Sequence, residues 1–113
     1  MRIYGEYPPD WREISYSVKA EHRWKCERCG HPDDRAAGYL LTVHHLDGNK
    51  SNCERWNLAA LCQRCHLSVQ ARVDFTQGYS GPHSLWMAVH VVTYNAWALP
   101  RGLPLHELGG LIE

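Results

Sequence analysis

The chain has 113 residues, with 12 Lys and Arg against 12 Asp and Glu, 8 His, 5 Cys and 5 Trp. With 44% apolar and 21% charged residues it suits a single domain over residues 1–113 with one modest core, and it is neither a disordered tail nor a charged linker. A formal net charge of zero argues against a protein that coats polyanions broadly, because such binding shows as a basic excess.

Residues 1–8 carry no apolar signal core and no run of 18 apolar residues occurs. The expectation is a soluble, cytoplasmic protein, neither secreted nor held in a membrane. Tyr7-Pro8-Pro9 reads as extended, and Asp10 with Glu13 three residues later reads as a helix-starting cap. A helix over about 11–22 follows, with Trp11, Ile14 and Val18 on its core-facing stripe. Gly30 and Pro32-Asp33-Asp34 are turn chemistry, and the strand formers of 39–44 make one strand of an expected two-stranded hairpin. A polar loop covers 47–52. Residues from 63 to about 74 suit a helix, with Leu67 and Ala71 continuing one face. After a break at 78–82, residues 85–99 read as a helix by their length, stopped by Pro100-Arg101-Gly102, although Val89, Val91, Val92 and Thr93 would also suit a strand. Residues 103–108 add one short helical turn. Trp86, Tyr94 and Trp97 should pack the last helix onto the core, and an apolar stripe left exposed on it would serve a homodimer.

Four of the five cysteines form two C-x-x-C knuckles, Cys26-Glu27-Arg28-Cys29 and Cys62-Gln63-Arg64-Cys65. An odd cysteine count without a signal segment argues against a disulfide framework. Two knuckles supply the four thiolates of a closed tetrahedral zinc site, whereas a redox C-x-x-C would explain one pair and leave the other idle. The expectation is a structural Zn2+ on Cys26, Cys29, Cys62 and Cys65. Cys53 is left as a loop or buried thiol without a special role.

Between and just beyond the knuckles stand His44-His45, Asn57 and His66. Neighbouring side chains on a strand point to opposite sides, so His44 and His45 split into two tasks. His66 lies about 100° around its helix from Cys65, which turns it away from the zinc and toward the hairpin. An ion on His44 and His66 with His45 beside it would therefore be a second site. His22, His31, His83, His90 and His106 fall outside this pattern and read as core, cap or surface residues.

The stretch Val43-His44-His45-Leu46-Asp47-Gly48-Asn49, then Asn57-Leu58-Ala59-Ala60-Leu61-Cys62-Gln63-Arg64-Cys65-His66, with Cys26-x-x-Cys29 upstream, resembles the HNH endonuclease family, the ββα-metal nucleases. The resemblance implies an α+β fold, a small ββα-metal, treble-clef-like core stapled by the four-cysteine zinc. An N-terminal helix and a C-terminal helical extension flank it, the motif-bearing core being 11–72 and the extension 73–113. It implies metal-dependent hydrolysis of DNA phosphodiester bonds, with His44 and His66 as ligands of a catalytic divalent ion, His45 as general base and Asn57 fixing the loop and the base. The ion would be Mg2+, Mn2+, Ni2+ or Zn2+. Many relatives have Asp where His44 stands, and a neutral imidazole shifts preference away from hard Mg2+. Gln70, where some relatives carry a further ligand, could orient a metal-bound water but reads first as a solvent-facing residue. Small stand-alone chains of the family resemble phage, prophage or restriction-associated nucleases. The alternative reading of the same residues is a non-catalytic treble-clef zinc module that binds nucleic acid or protein.

The reaction is coherent on physical grounds. An imidazole with a reference pKa of about 6.5 can take a proton from water at neutral pH, and a divalent ion stabilises phosphate charge as a Lewis acid. Charge is unevenly distributed: residues 22–72 hold eight basic against five acidic side chains, while both flanks are net acidic. Lys50, Arg55, Arg64 and Arg72 are the candidate phosphate contacts.

Overall fold

The computed structural model describes residues 3–72 and 85–106, the side chains of 71, 72 and 85 excepted. Helix α1 spans Trp11–Glu21, strand β1 Leu41–His45, strand β2 Leu58–Cys62, helix α2 Gln63–Arg72 and helix α3 Leu85–Ala98, with single 3-10 turns at Arg55–Asn57 and Leu99–Arg101. This is the expected small α+β architecture.

Helix α1 begins where the prolines end, but not by the expected side-chain cap. The Asp10 carboxylate makes no capping bond. Its backbone carbonyl instead accepts from the Glu13 and Ile14 amides, both at 3.1 Å, and the Trp11 amide donates to the Pro8 carbonyl at 3.0 Å. The apolar stripe holds: Val18 is buried, and Trp11 and Ile14 pack against the core.

The two strands are antiparallel, with His44 opposite Ala59 and His45 opposite Leu58. Strand β2 is the second strand of the expected hairpin, formed by the apolar run that leads into the second knuckle. All five of its residues are buried, so both of its faces are covered. Both α1 and α2 contact both strands. Ala59 and Ala60 have no bulk to hold those neighbours off, and Leu41, Leu46, Leu58, Leu61, Val69, Met87 and Val91 fill the space around them.

Two expectations need correction. Leu67 is 70% exposed, and among the described side chains of α2 the buried ones are Cys65 and Val69. A knuckle cysteine that must point inward carries the residue four further on inward with it, and turns the residue two further on outward. The Ala71 side chain lies outside the described residues, as does the expected continuation of this helix past 72. The short helical turn expected at 103–108 does not form over 103–106, and 107–108 lie outside the described residues. Gly102 adopts φ 68° and turns the chain off the 3-10 turn. The Asn95 amide then clamps His106 from both sides, accepting from its N–H at 2.9 Å and donating to its carbonyl at 3.0 Å.

Helix α3 forms as a helix, its β-branched residues notwithstanding, because it has a continuous buried face. Met87 and Val91 are fully buried, and Trp86, Tyr94 and Trp97 pack on the core as expected. Trp56 meets Tyr94 edge-on at 4.9 Å between ring centroids and Trp97 at 5.4 Å. His90 is a core residue. Its Nδ1 lies 2.9 Å from the Trp56 carbonyl and its Nε2 2.9 Å from the Glu27 carboxylate, whose other oxygen accepts from the Ala60 amide at 2.7 Å. Through Glu27, α3 is tied to the first cysteine knuckle. Val89, Val92 and Leu99 remain exposed on this side of the molecule. No helix among the described residues is long and apolar enough to cross a membrane.

Candidate functional site

The two knuckles converge. Gly30, at φ 78°, lets the chain reverse after Cys29, and its amide donates to the Cys26 carbonyl at 2.8 Å. The second knuckle spans the end of β2 and the first turn of α2. In each knuckle the later cysteine amide donates to the earlier sulfur: Cys29 to Cys26 Sγ at 3.5 Å and Cys65 to Cys62 Sγ at 3.4 Å. All four sulfurs lie within 4.8 Å of one another. The Cys29 and Cys62 sulfurs are 3.8 Å apart, the edge of a tetrahedron with zinc–sulfur bonds of about 2.3 Å, which gives about 3.8 Å. The four cysteines are thus positioned to bind a metal ion. Burial drives the Cys65 thiol up to about 12, against the Arg28 guanidinium that donates to it at 3.4 Å. An ion binding here must displace such protons. Cys53 is half-buried and stands apart from the cluster.

His44, His45 and His66 line one cavity, apart from the cysteine cluster. Thr42 and His44 alternate onto one face of the strand, and both meet His66 from α2. The His44 and His66 ring centroids are 4.5 Å apart, and Thr42 Oγ1 lies 2.9 Å from His66 Nδ1. The Thr42 hydroxyl has one proton, and it donates that proton to the Leu61 carbonyl at 2.7 Å. Toward His66 it can therefore only accept. His66 must carry its proton on Nδ1, which leaves the Nε2 lone pair for a ligand. Thr42 carried no functional reading from the sequence, although its place two residues before His44 in a strand run was a usable signal.

His45 turns toward α1. Its ring packs on Trp11 at 4.8 Å and approaches Tyr7 at 5.9 Å. His44 is 2% exposed and His45 5%, and the Nε2 atom of each is buried without a hydrogen-bond partner. Both residues line one cavity of about 200 Å³ together with Ile3, Tyr7, Lys50, His66 and Gln70. Burial pushes His44 down to about 3, with the charges of His66 and His45 adding to it. Burial also lowers His45 and His66, and for His45 the Asp47 carboxylate works in the opposite direction. His44 Nε2, buried without a partner, and His66 Nε2 lie on one cavity and are nitrogen donors of the kind a divalent ion takes, with the unpartnered His45 Nε2 beside them. Gln70, expected to face solvent, is half-buried and lines the cavity.

Asn57 is fully buried and does its work on the backbone beyond His45. Its Oδ1 accepts from the Asp47 amide at 2.9 Å, and its Nδ2 donates to Asp47 Oδ1 and to the Asn52 carbonyl, both at 2.8 Å. Its own carbonyl accepts from the Leu46 amide at 2.8 Å. The loop over 46–52 is thereby pinned at the end of β1.

Of the four candidate phosphate contacts, Lys50 lines the cavity. Arg55 is paired with Glu21 and donates to the Leu58 carbonyl at 2.8 Å. Arg64 lies over the Tyr39 ring, 4.4 Å from its centroid, with its donors toward Ala37, Gly38 and the Tyr39 hydroxyl. The Arg72 side chain lies outside the described residues.

Comparison with known proteins matches the segment that carries these residues. The HNH endonuclease family model matches residues 26–72, the segment that contains both knuckles, the His44-His45 pair, Asn57 and His66. The chain is similar to the Zorya protein ZorE of Escherichia coli, at 35% identity over 60 residues, which are 53% of this chain and 16% of that protein. The chain therefore matches only a small part of that relative's length. No solved structure matches. The resemblance read from the sequence is borne out, and at the level of the family it supports a nuclease.

Proposed function

We propose that this chain, whose residues 26–72 match the HNH endonucleases, is a metal-dependent endonuclease that hydrolyses phosphodiester bonds of DNA. The observation that carries the reading is the pair of buried, unpartnered Nε2 atoms on His44 and His45, two residues that line one cavity. A folded core rarely leaves such atoms unsatisfied, and a site awaiting ligand, water and phosphate does.

In this reading Cys26, Cys29, Cys62 and Cys65 hold a structural zinc ion, and His44 with His66 hold a catalytic divalent ion. Bound there, that ion would offset phosphate charge as a Lewis acid. Imidazole ligands favour manganese, nickel or zinc over magnesium. His45 is neutral at pH 7, because burial lowers its affinity for protons, and it takes a proton from the attacking water. The Asp47 carboxylate favours the imidazolium that results. Asn57 holds Asp47 and the loop in place, as groups behind a reactive side chain commonly do. Trp11 and Tyr7 limit the swing of the His45 ring.

The chain is read as one domain, with the 11–72 core and the 73–113 extension together; in support, His90 of α3 reaches both Trp56 and Glu27 of the core. The setting is cytoplasmic, where thiols stay reduced for zinc. Two copies associate through the exposed Val89, Val92 and Leu99; a sedimentation coefficient that stays monomeric at high concentration would refute this.

The deciding experiment incubates zinc-loaded protein with supercoiled plasmid and, separately, manganese, nickel, zinc or magnesium. Nicked or linear product in at least one metal is expected. DNA binding without cleavage in every metal would replace the enzyme by a non-catalytic zinc module.

A further inference from the structure

Before α1 the chain folds back onto the loop that follows β1. Tyr4 forms a parallel bridge with Asn49, its amide donating to the Gly48 carbonyl at 2.9 Å and its carbonyl accepting from the Lys50 amide at 2.8 Å. The Ser51 hydroxyl donates to the Glu6 carbonyl at 3.1 Å and accepts from the Glu6 amide at 3.2 Å. Between these contacts Gly5 adopts φ 78°, and a Cβ there would collide with Asn49 Oδ1. Only glycine lets the segment lie this close.

This strap, residues 3–8, precedes the segment matched by the family. Two of its side chains, Ile3 and Tyr7, nevertheless line the histidine cavity beside Lys50. Tyr7 stacks on Trp11 at 5.0 Å with an interplanar angle of 21°, and the Lys50 ammonium lies over the Tyr7 ring, 5.2 Å from its centroid. Among the described ion pairs none involves Lys50. An aromatic face restrains an ammonium without neutralising it, so the full charge remains for an anion. A lysine already restrained also loses less side-chain freedom when it grips one.

We propose that the strap is a working part of the site: Tyr7 is a positioning residue that holds the Lys50 ammonium beside the histidine cavity, where it takes a backbone phosphate of the DNA. This rests on the reading of the cavity as a phosphodiester site. The strap also accounts for Gly5, whose backbone conformation serves the close approach to the loop carrying Lys50.

The test is binding of a fluorescent DNA duplex to the zinc-loaded full chain, without added catalytic metal, from 50 mM to 1 M salt. Lys50→Gln should lower the log–log salt slope by about 0.9, a loss of about 15-fold at 50 mM relative to 1 M. Tyr7→Leu should weaken binding about two- to fivefold, Tyr7→Phe should bind as wild type, and Tyr7→Leu should add nothing in the Lys50→Gln background. Gly5→Ala, which lifts the strap, should reproduce Tyr7→Leu. An equal loss from Tyr7→Leu with and without Lys50, or no loss in either, overturns the proposal. If wild type cleaves plasmid while these variants bind unchanged, the strap proposal alone fails. If wild type neither binds nor cleaves DNA, the functional reading fails and the strap proposal with it.

Discussion

Removing the Thr42 hydroxyl tests how the histidine site is prepared. Thr42→Val keeps the shape and β-propensity of the residue but deletes the group that donates to the Leu61 carbonyl at 2.7 Å and accepts from His66 Nδ1 at 2.9 Å. Two consequences follow. The lost bonds should lower stability by about 1–2 kcal/mol, with the partly buried partners keeping part of their unsatisfied polarity. The larger effect is on the His66 tautomer, since nothing else in the described contacts directs its proton to Nδ1. Groups that orient a metal-ligating histidine typically contribute 10- to 100-fold to metal affinity, so calorimetric titration of zinc-loaded protein with manganese or nickel should show a loss of about that size. Thr42→Ser restores the hydroxyl and should recover most of it. In nitrogen-15 NMR of the ion-free histidine site, wild-type His66 should be protonated at Nδ1, and Thr42→Val should shift it toward Nε2. An Nε2-protonated His66 in wild type, or Thr42→Val affinity within twofold of wild type, would refute the reasoning.

Other perturbations separate the parts of the molecule. His90→Ala removes the ring that bonds the Trp56 carbonyl and one Glu27 carboxylate oxygen, and should cost about 1–3 kcal/mol in a urea melt; a loss under about 0.5 kcal/mol would mean that α3 is not tied to the knuckle through this contact. Cys62→Ser, or a strong chelator, should abolish the cooperative thermal transition, because a core this small depends on its metal staple, and an unchanged melting temperature would contradict that. The lowered His44 pKa makes stability depend on pH when the histidine site is free of metal. The unfolded chain takes a proton below about 6.5 and the folded one only near 3, so stability is complete above 6.5 and falls as the pH drops through that window. Wild type should lose about 1 kcal/mol more than His44→Gln between pH 6.5 and 5.5, and parallel pH profiles would show that burial does not suppress His44 protonation.

The motif-bearing part of the site was legible because its chemistry is local. Paired C-x-x-C knuckles have few other uses, and the turn of His66 away from Cys65 follows from helix geometry alone. Leu67 misled because an apolar residue on a short helix reads as core, while the inward face of α2 is set by Cys65. Gln70 stands one helical turn beyond His66, where some relatives carry a ligand, and a solvent-facing helix residue is the commoner reading of that position; it lines the cavity instead. The strap could not be read at all. Tyr7 and Lys50 are 43 residues apart in sequence, and their meeting depends on backbone pairing between Tyr4 and Asn49 that no local pattern announces. Likewise, the identity of Glu27 as a partner for His90 rests on how α3 docks, which its apolar composition leaves open.

The central claim, that the buried histidine at the end of β1 activates water, is tested most directly by single-turnover plasmid cleavage in manganese with wild type and His45→Ala, both shown to be zinc-loaded and folded. The account predicts a loss of about 10²- to 10⁴-fold for His45→Ala, the contribution expected of a general base. Equal cleavage rates for the two proteins would contradict it.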